Sequence, residues 1–393
     1  MSSGSQVQHI VVVGVVGVGL VGSELVDQLS KLPSPELRDQ FQLISLSSSR
    51  STVYYDIGSD WWSNWRQDLT RSTIGSDPRA LVTKLTQIST VEEVAGLQQG
   101  VSFSVIPVLV DNTSSEAVAR LYPFFLNNGV NIVTPNKKAF SSELAFYEEI
   151  VAESLKTGAR FYNESTVGAG LPIISTIKDL VATGDKVRIE LGTSPLRASI
   201  VLCRSSSPLV QGHENRGCIL RHAELHFQRV LGWEERGWAE LLFYRFNRQA
   251  EWLHGTLIFS PSHSPEDPLG AGGCLGGEIR SLTAGCIQEP NPADDLNGAD
   301  VARKLTILSR YIPSLRDKLP NGYKSVSTKS LVPAALDGIE SGEEFIKKLP
   351  EYDQEFDKLR SDAFKENQVL RFVGVIDVAS GVIKADLERW VLS

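Results

Sequence analysis

The stretch from His9 to Leu32 leaves this chain few choices of fold. His9 to Gly14 is an apolar, β-branched run that suits a strand buried within a parallel sheet. It feeds directly into Gly17-Val18-Gly19-Leu20-Val21-Gly22, and Ser23 to Leu32 then has helical spacing, with Leu25, Val26 and Leu29 turned inward. Glycines in this pattern, standing alone, serve equally well as a packing turn. Between a strand and a helix the three divide the work. The first makes the turn, the second lets the backbone approach a pyrophosphate, and the third lets helix meet strand. The unit therefore reads as the opening of a dinucleotide-binding α/β domain, with Gly17, Gly19, Leu20, Val21 and Gly22 forming the phosphate-binding turn.

The end of the second strand bears on which dinucleotide. An acid there would hold the ribose 2′-hydroxyl, but Phe41 to Leu46 runs into Ser47-Ser48-Ser49-Arg50, with no carboxylate and one arginine. NADP is favoured on that ground and NAD stays open, since Arg50 is equally an exposed loop residue. Between Tyr54 and Gly100 the chain offers two helices, around Asp77 to Gln87 and Thr90 to Gln98, and a polar stretch with Trp61, Trp62 and Trp65 that reads as a packed cluster and not a ligand cage. Val101 to Val110 resumes as a buried strand and closes in Asp111-Asn112-Thr113-Ser114-Ser115. After a helix over Glu116 to Asn127, Val130 to Val133 closes in Thr134-Pro135-Asn136-Lys137-Lys138. Polar loops at the carboxyl ends of successive strands form the rim where open α/β sheets bind ligands, so Thr113, Ser114 and Lys137 are candidates to face the cofactor. A helix over Ser142 to Lys156 and a short strand at Arg160 to Tyr162 lead to Glu164-Ser165-Thr166-Val167-Gly168-Ala169-Gly170-Leu171-Pro172, a hinge-like exit from the domain. A carboxylate followed by such a turn can also offer oxygens to a hard cation.

Further chemistry concentrates between Glu289 and Arg310. Pro290 and Pro292 keep the approach extended, Asp294, Asp295 and Asn297 are helix-capping types, and Val301, Leu305 and Leu308 recur at helical spacing. A loop therefore runs into a helix near Leu296, on which Asp300 and Lys304 lie one turn apart on one face. An isolated pair of this kind is a surface ion pair worth about 0.3–0.5 kcal/mol. Here Glu289, Asp294 and Asp295 arrive just upstream, which points to a site and not a solvated face. Composition excludes several other classes. A net charge of −8 leaves no basic footprint for nucleic acid. The longest apolar run, Ile10 to Gly22, is too short and glycine-rich to span a bilayer, and Met1 to Gln8 lacks a basic segment or cleavage signal. The 393 residues are expected to form a soluble, cytoplasmic protein of two domains, without a nucleic-acid or membrane partner. Cys203, Cys218, Cys274 and Cys286 show no paired metal-ligand spacing and no disulfide framework.

Five blocks carry a resemblance to a known family. GVGLVGS at Gly17 to Ser23, DNTSS at Asp111 to Ser115, TPNKKAFSS at Thr134 to Ser142, ESTVGAGLPII at Glu164 to Ile174 and DDLNGADVARK at Asp294 to Lys304 occur in the family's order. Together they resemble homoserine dehydrogenase, most closely the single-function form found in fungi, over roughly residues 8 to 195 and 287 to 385. The resemblance implies a pyridine-nucleotide enzyme, a homodimer, reducing the small-molecule substrate L-aspartate 4-semialdehyde to L-homoserine in threonine and methionine biosynthesis. It makes Lys304 the acid–base lysine, Asp300 the substrate-binding aspartate beside it, and Glu289 the holder of the substrate's amino group, with Asp295 a further carboxylate of that loop. It also places Lys137 at the boundary of cofactor and substrate, and Glu164, Val167, Ala169 and Leu171 at a monovalent cation such as sodium.

The likeness lapses between Leu196 and Cys286, where all four cysteines and five of the six histidines fall. Only Ser199 to Leu202, Glu240 to Tyr244 and Thr256 to Phe259 come near strand patterning there. That segment is expected to be irregular and to be cut first by protease, near Gly212 to Arg216 or Ser260 to Gly277. Val369 to Val378 and Val382 to Leu387 suggest a closing strand pair, whereas the family continues into a glycine-rich segment beyond Ser393. The expected architecture is α/β: a Rossmann-type dinucleotide-binding domain over residues 1–165, then an α+β catalytic and dimerisation domain over 166–393. Two other readings stay open, an NADP-dependent oxidoreductase acting on another small aldehyde and a non-catalytic chain that keeps nucleotide binding.

Overall fold

A computed structural model describes residues 8–32, 40–88, 103–184, 187–194, 197–204, 293–339 and 341–391. The chain divides into two compact units after Leu171.

The first unit contains β1 (Gln8–Val16), α1 (Leu20–Ser30), β2 (Phe41–Ser47), β3 (Ser51–Tyr54), α2 (Trp65–Arg71), β4 (Ile74–Gly75), α3 (Pro78–Ile88) and β5 (Phe103–Asp111). It continues with α4 (Glu116–Ala119), α5 (Tyr122–Asn127), β6 (Asn131–Val133), α6 (Lys137–Phe140), α7 (Leu144–Thr157) and β7 (Phe161–Tyr162). The strands form one sheet in the order β4-β3-β2-β1-β5-β6-β7. Its centre is parallel, and β3 and β4 run antiparallel at one edge. This is the expected dinucleotide-binding α/β architecture. Val12 and Val15 of β1 are fully buried, as a strand covered on both faces requires.

Three local features differ from expectation or refine it. The first helix starts at Leu20 and so takes in the third glycine of the turn, three residues before Ser23. The single helix expected over Glu116 to Asn127 is two, because Pro123 has no N–H to donate and instead opens α5. Trp61 and Trp65 are buried in the core cluster with Leu25, Val26 and Leu29, which fits the packed reading, while Trp62 is exposed at their edge. Trp65 Nε1 donates to Asp27 Oδ1 at 3.2 Å, and Arg66 Nη1 donates to the same oxygen at 2.9 Å, tying α2 to α1. The helix expected at Thr90 to Gln98 lies outside the described residues.

The second unit holds α8 (Ile173–Ala182), β8 (Val187–Ser194), β9 (Arg197–Arg204), α9 (Ala293–Leu296), α10 (Ala299–Ser309), β10 (Ser327–Thr328), α11 (Gly342–Lys348), α12 (Asp353–Lys365), β11 (Gln368–Asp377) and β12 (Val382–Val391). Its sheet runs β10-β12-β11-β8-β9. The irregular segment expected from residue 196 is corrected at its start. Arg197–Arg204 pairs antiparallel with β8 over its whole length, from Ser194 opposite Arg197 to Val187 opposite Arg204. A partner strand supplies ladder bonds that periodicity within a single strand does not report. The pieces expected at Glu240 to Tyr244 and Thr256 to Phe259, and both proteolysis sites, lie outside the described residues. The closing strand pair is observed as the β11–β12 hairpin, turned where Asp377 Oδ1 accepts from the N–H groups of Ala379 and Ser380 and Gly381 takes φ +69°.

Candidate active site

The nucleotide side is built at three level strand ends. In register, Val16 of β1 lies beside Ser47 of β2 and Asp111 of β5. Gly17 N–H donates to the Ser47 carbonyl at 2.8 Å, and Asn112 N–H donates to the Val16 carbonyl at 2.8 Å. The two strands flanking β1 therefore deliver their loops to the glycine turn, at the point where ligands bind in open α/β sheets.

The three glycines differ in what demands them. Gly17 has φ +90°, and a Cβ there would meet Thr113 Cγ2 at 2.7 Å; one on Gly22 would meet the Gly17 carbonyl oxygen at 2.0 Å. Packing thus explains the first and third. A Cβ on Gly19 would meet nothing within 4 Å among the described residues, so packing does not demand the second, and the space beside it is open to a pyrophosphate. Behind it α1 begins with no acid in its first turn, and its leading N–H groups are suited to a phosphate. Both polar atoms of the Asn112 side chain are buried without a protein partner at this same point. The residues present fit a nicotinamide dinucleotide. Arg50 lies exposed in the β2–β3 loop, whose bend is set by Ser48 Oγ accepting from the N–H groups of Arg50 at 3.1 Å and Ser51 at 3.0 Å.

Two strand-end loops are joined by a residue that the sequence reading passed over as a candidate. Asp111 is fully buried. Its Oδ1 accepts from the Thr113 N–H at 2.8 Å and the Thr113 hydroxyl at 2.6 Å, while Oδ2 accepts from the Tyr122 hydroxyl at 2.7 Å and Asn136 Nδ2 at 3.0 Å. Burial raises the Asp111 carboxyl above its ordinary range, and the donors of Thr113, Tyr122 and Asn136 draw it back. Burial, then the neighbouring carboxylate, holds the Tyr122 phenol well above its usual value, so it remains a donor. Asn136 also caps α6, accepting from the Lys138 N–H at 3.1 Å, which fixes the backbone that carries Lys137. The signal available in the sequence was a carboxylate closing an apolar strand, which must find donors if buried.

Glu164 and Val167 bound a 3-10 turn, Glu164–Thr166, and Ala169 and Leu171 lie in the turn that follows it. Gly168 has φ +84° and Ala169, unusually for a residue with a side chain, φ +50°. The Leu171 N–H closes the turn on the Gly168 carbonyl at 2.9 Å.

In the second unit, Lys304 Nζ lies 2.7 Å from Asp300 Oδ2 on α10. Their side chains are 24% and 27% exposed, against 45% and 53% for Lys348 and Glu344 at the same spacing on α11. The first pair is thus sheltered where an ordinary surface pair is not. Gly298, at φ +74°, turns the chain from α9 into α10, and Asn297 Oδ1 accepts from the Ala299 N–H at 2.8 Å. Val301 and Leu305 then press on Gly374 of β11, where a Cβ would meet Val301 Cγ1 at 2.6 Å. Asp295 lies in α9, and Glu289 lies outside the described residues.

The glycine turn at the switch point of a parallel sheet defines the class as a dinucleotide-binding α/β protein. Comparisons with known proteins say which. Residues 17–164 match the family described as "Homoserine dehydrogenase, NAD binding domain", and residues 279–390 match "Homoserine dehydrogenase". The homoserine dehydrogenase of Paracoccidioides brasiliensis is 33% identical over 382 residues, 96% of this chain and 83% of that protein. That of Schizosaccharomyces pombe is 33% identical over 387 residues, 96% of this chain and 81% of that protein. A crystal structure of a Candida auris protein of unknown function is 28% identical, with a TM-score of 0.64 over 98% of this chain and 84% of that one. The chain belongs to the homoserine dehydrogenase family. Alignments covering 96% of it span residues 196–286, where the motif-by-motif resemblance lapses apart from His254 to Leu257.

Proposed function

We propose that the chain reduces L-aspartate 4-semialdehyde to L-homoserine, prefers NADPH to NADH, and works as a cytoplasmic homodimer with a monovalent cation such as sodium at the turns of Glu164, Val167, Ala169 and Leu171. The bound nucleotide supplies the hydride. As the aldehyde carbon accepts it, negative charge grows on the substrate oxygen, and a positioned donor lowers the barrier. Lys304 Nζ is that donor, and Asp300, 2.7 Å away, orients it. Glu289 and Asp295 supply carboxylates for the substrate's ammonium group. Lys137 is assigned to the boundary of cofactor and substrate, and Thr113, Ser114 and the glycine turn to the nucleotide. The preference for NADPH rests on Arg50, one loop from the glycine turn with Ser47 to Ser49 and no acid before it.

The observation that carries the reading is the sheltered Asp300–Lys304 pair within a family match that includes it. Among the described residues no helix is long and apolar enough to cross a membrane. Steady-state assays with NADPH and NADH, and with homoserine in the reverse direction, test the proposal. Turnover of the semialdehyde supports it. NADPH binding without turnover would replace it with a nucleotide-binding chain that has lost catalysis.

A further inference from the structure

A carboxylate buried with no cation beside it among the described residues is a costly way to hold two loops together. Taking a charge out of water costs several kcal/mol unless its hydrogen bonds are fully made. The four donors on Asp111 fill the acceptor capacity of a carboxylate, and all four come from neutral groups: the Thr113 N–H and hydroxyl, the Tyr122 hydroxyl and the Asn136 amide. The Asp111 backbone carbonyl accepts from the Thr134 hydroxyl at 2.8 Å, and that hydroxyl in turn accepts from the Asn136 N–H at 2.9 Å. Asn136 Nδ2 reaches the Ser115 carbonyl as well, at 3.0 Å. One residue therefore grips the loop of Thr113 to Ser115 at one end and the loop of Thr134 to Lys138 at the other. No other side-chain type does this. An asparagine in its place would set an amide N–H against a group that can only donate whichever way it turned, either the Thr113 backbone N–H or the Asn136 amide.

We propose that Asp111 is a positioning residue for cofactor binding: its carboxylate locks the Thr113–Ser115 loop to the Asn136-capped start of α6, and so sets the spacing between Thr113, Ser114 and the backbone of Lys137. The inference rests on the reading of these two loops as the nucleotide-facing rim. Asp111 itself is enclosed and touches no ligand; it acts through Thr113 and Asn136. A purely structural role would cost stability alone, whereas a positioning role moves cofactor affinity beyond what lost stability explains.

The test uses the full chain with Asp111→Asn, Asn136→Ala and, as a stability-matched control, Ile150→Val, a buried residue of α7 that makes none of these bonds. NADPH affinity by fluorescence titration, thermal midpoint, kcat and KM are read for each. Asp111→Asn and Asn136→Ala are expected to raise the NADPH Kd at least tenfold and to lower kcat/KM for the semialdehyde at least tenfold, while Ile150→Val, with a lowered midpoint, stays within twofold on both. Should Asp111→Asn not fold, Asn136→Ala decides alone, because it leaves Asp111 three donors and breaks the link between the two loops, the Nδ2 bonds to Asp111 and Ser115 together with the cap on α6. Folded variants that bind NADPH within twofold of wild type would overturn the proposal. If wild type binds NADPH without turning over the semialdehyde, the proposed reaction falls; loss of NADPH affinity in the two variants would still support the role of Asp111.

Discussion

Arg50→Ala isolates a single charge. If the guanidinium meets a 2′-phosphate, its removal costs about 1.5–3 kcal/mol, the worth of a hydrogen bond to a charged group, and weakens NADPH roughly tenfold or more while NADH is unchanged. Titration of both nucleotides checks this, and equal losses would count against it. Lys304 and Asp300 are separable at the same scale. Lys304→Ala is expected to lower kcat about a hundredfold or more with NADPH affinity intact, since it removes a proton donor and no nucleotide contact. A surface ion pair would instead leave turnover normal and cost well under about 1 kcal/mol of stability. The pair's spacing was legible in the sequence; its shelter, at half the exposure of the Glu344–Lys348 pair, depends on the sheet and loops around α10.

Elements are placed by small residues as much as by large ones. Gly374 lets α10 lie against β11, and the atom that an alanine Cβ would strike first is Val301 Cγ1, on a β-branched side chain with little rotamer freedom in a helix. Gly374→Ala is therefore expected to destabilise by about 1–3 kcal/mol and to lower kcat by displacing the helix that carries Lys304, read by thermal melting and steady-state kinetics. A folded variant with unchanged kcat would show that the helix tolerates the shift. The tie between α1 and α2 has a pH signature. Arg66, bonding to Asp27, is the largest influence on that carboxyl and outweighs its burial, so Asp27 sits below its ordinary value. A depressed carboxyl contributes stability above the unfolded value near pH 4 and loses it as pH falls through the folded value. The melting difference between wild type and Asp27→Asn should then be present at pH 7 and fade as pH falls below the ordinary carboxyl value; because the partners are partly exposed, it stays small, under about 1 kcal/mol.

At the scale of the whole molecule, the second unit leaves Val382, Trp390 and Val391 of β12 exposed, with Leu359 and Phe364 on α12. Trp390 and Val391, adjacent at the end of β12, suit a pairing surface. Sedimentation is expected to give twice the chain mass of 43.1 kDa, and Trp390→Glu to shift the mass toward one chain. A wild-type monomer at micromolar concentration would remove the dimer from the proposal.

How much was readable from the residues alone follows from the range of the forces involved. Strand β1, the glycine turn and α1 were legible because their signals are local: β-branched burial, backbone freedom and helical spacing all lie within two dozen residues. The family was legible for the same reason, since each of its blocks is a short contiguous run. The split of the Glu116 to Asn127 helix was within reach too, given Pro123. Strand β9 was legible only in its centre, Ser199 to Leu202; its full length, Arg197–Arg204, depends on the ladder with β8. Asp111 appeared in the sequence as one polar residue of a loop; its role arises only when Tyr122 and Asn136, distant along the chain, converge on it. The sequence by itself determined that strand, glycine turn and helix follow one another at the start of the chain, and which chemistry the short blocks carry. Tertiary structure alone decided which polar groups are buried together, because hydrogen bonds act over about 3 Å of space and are indifferent to distance along the chain.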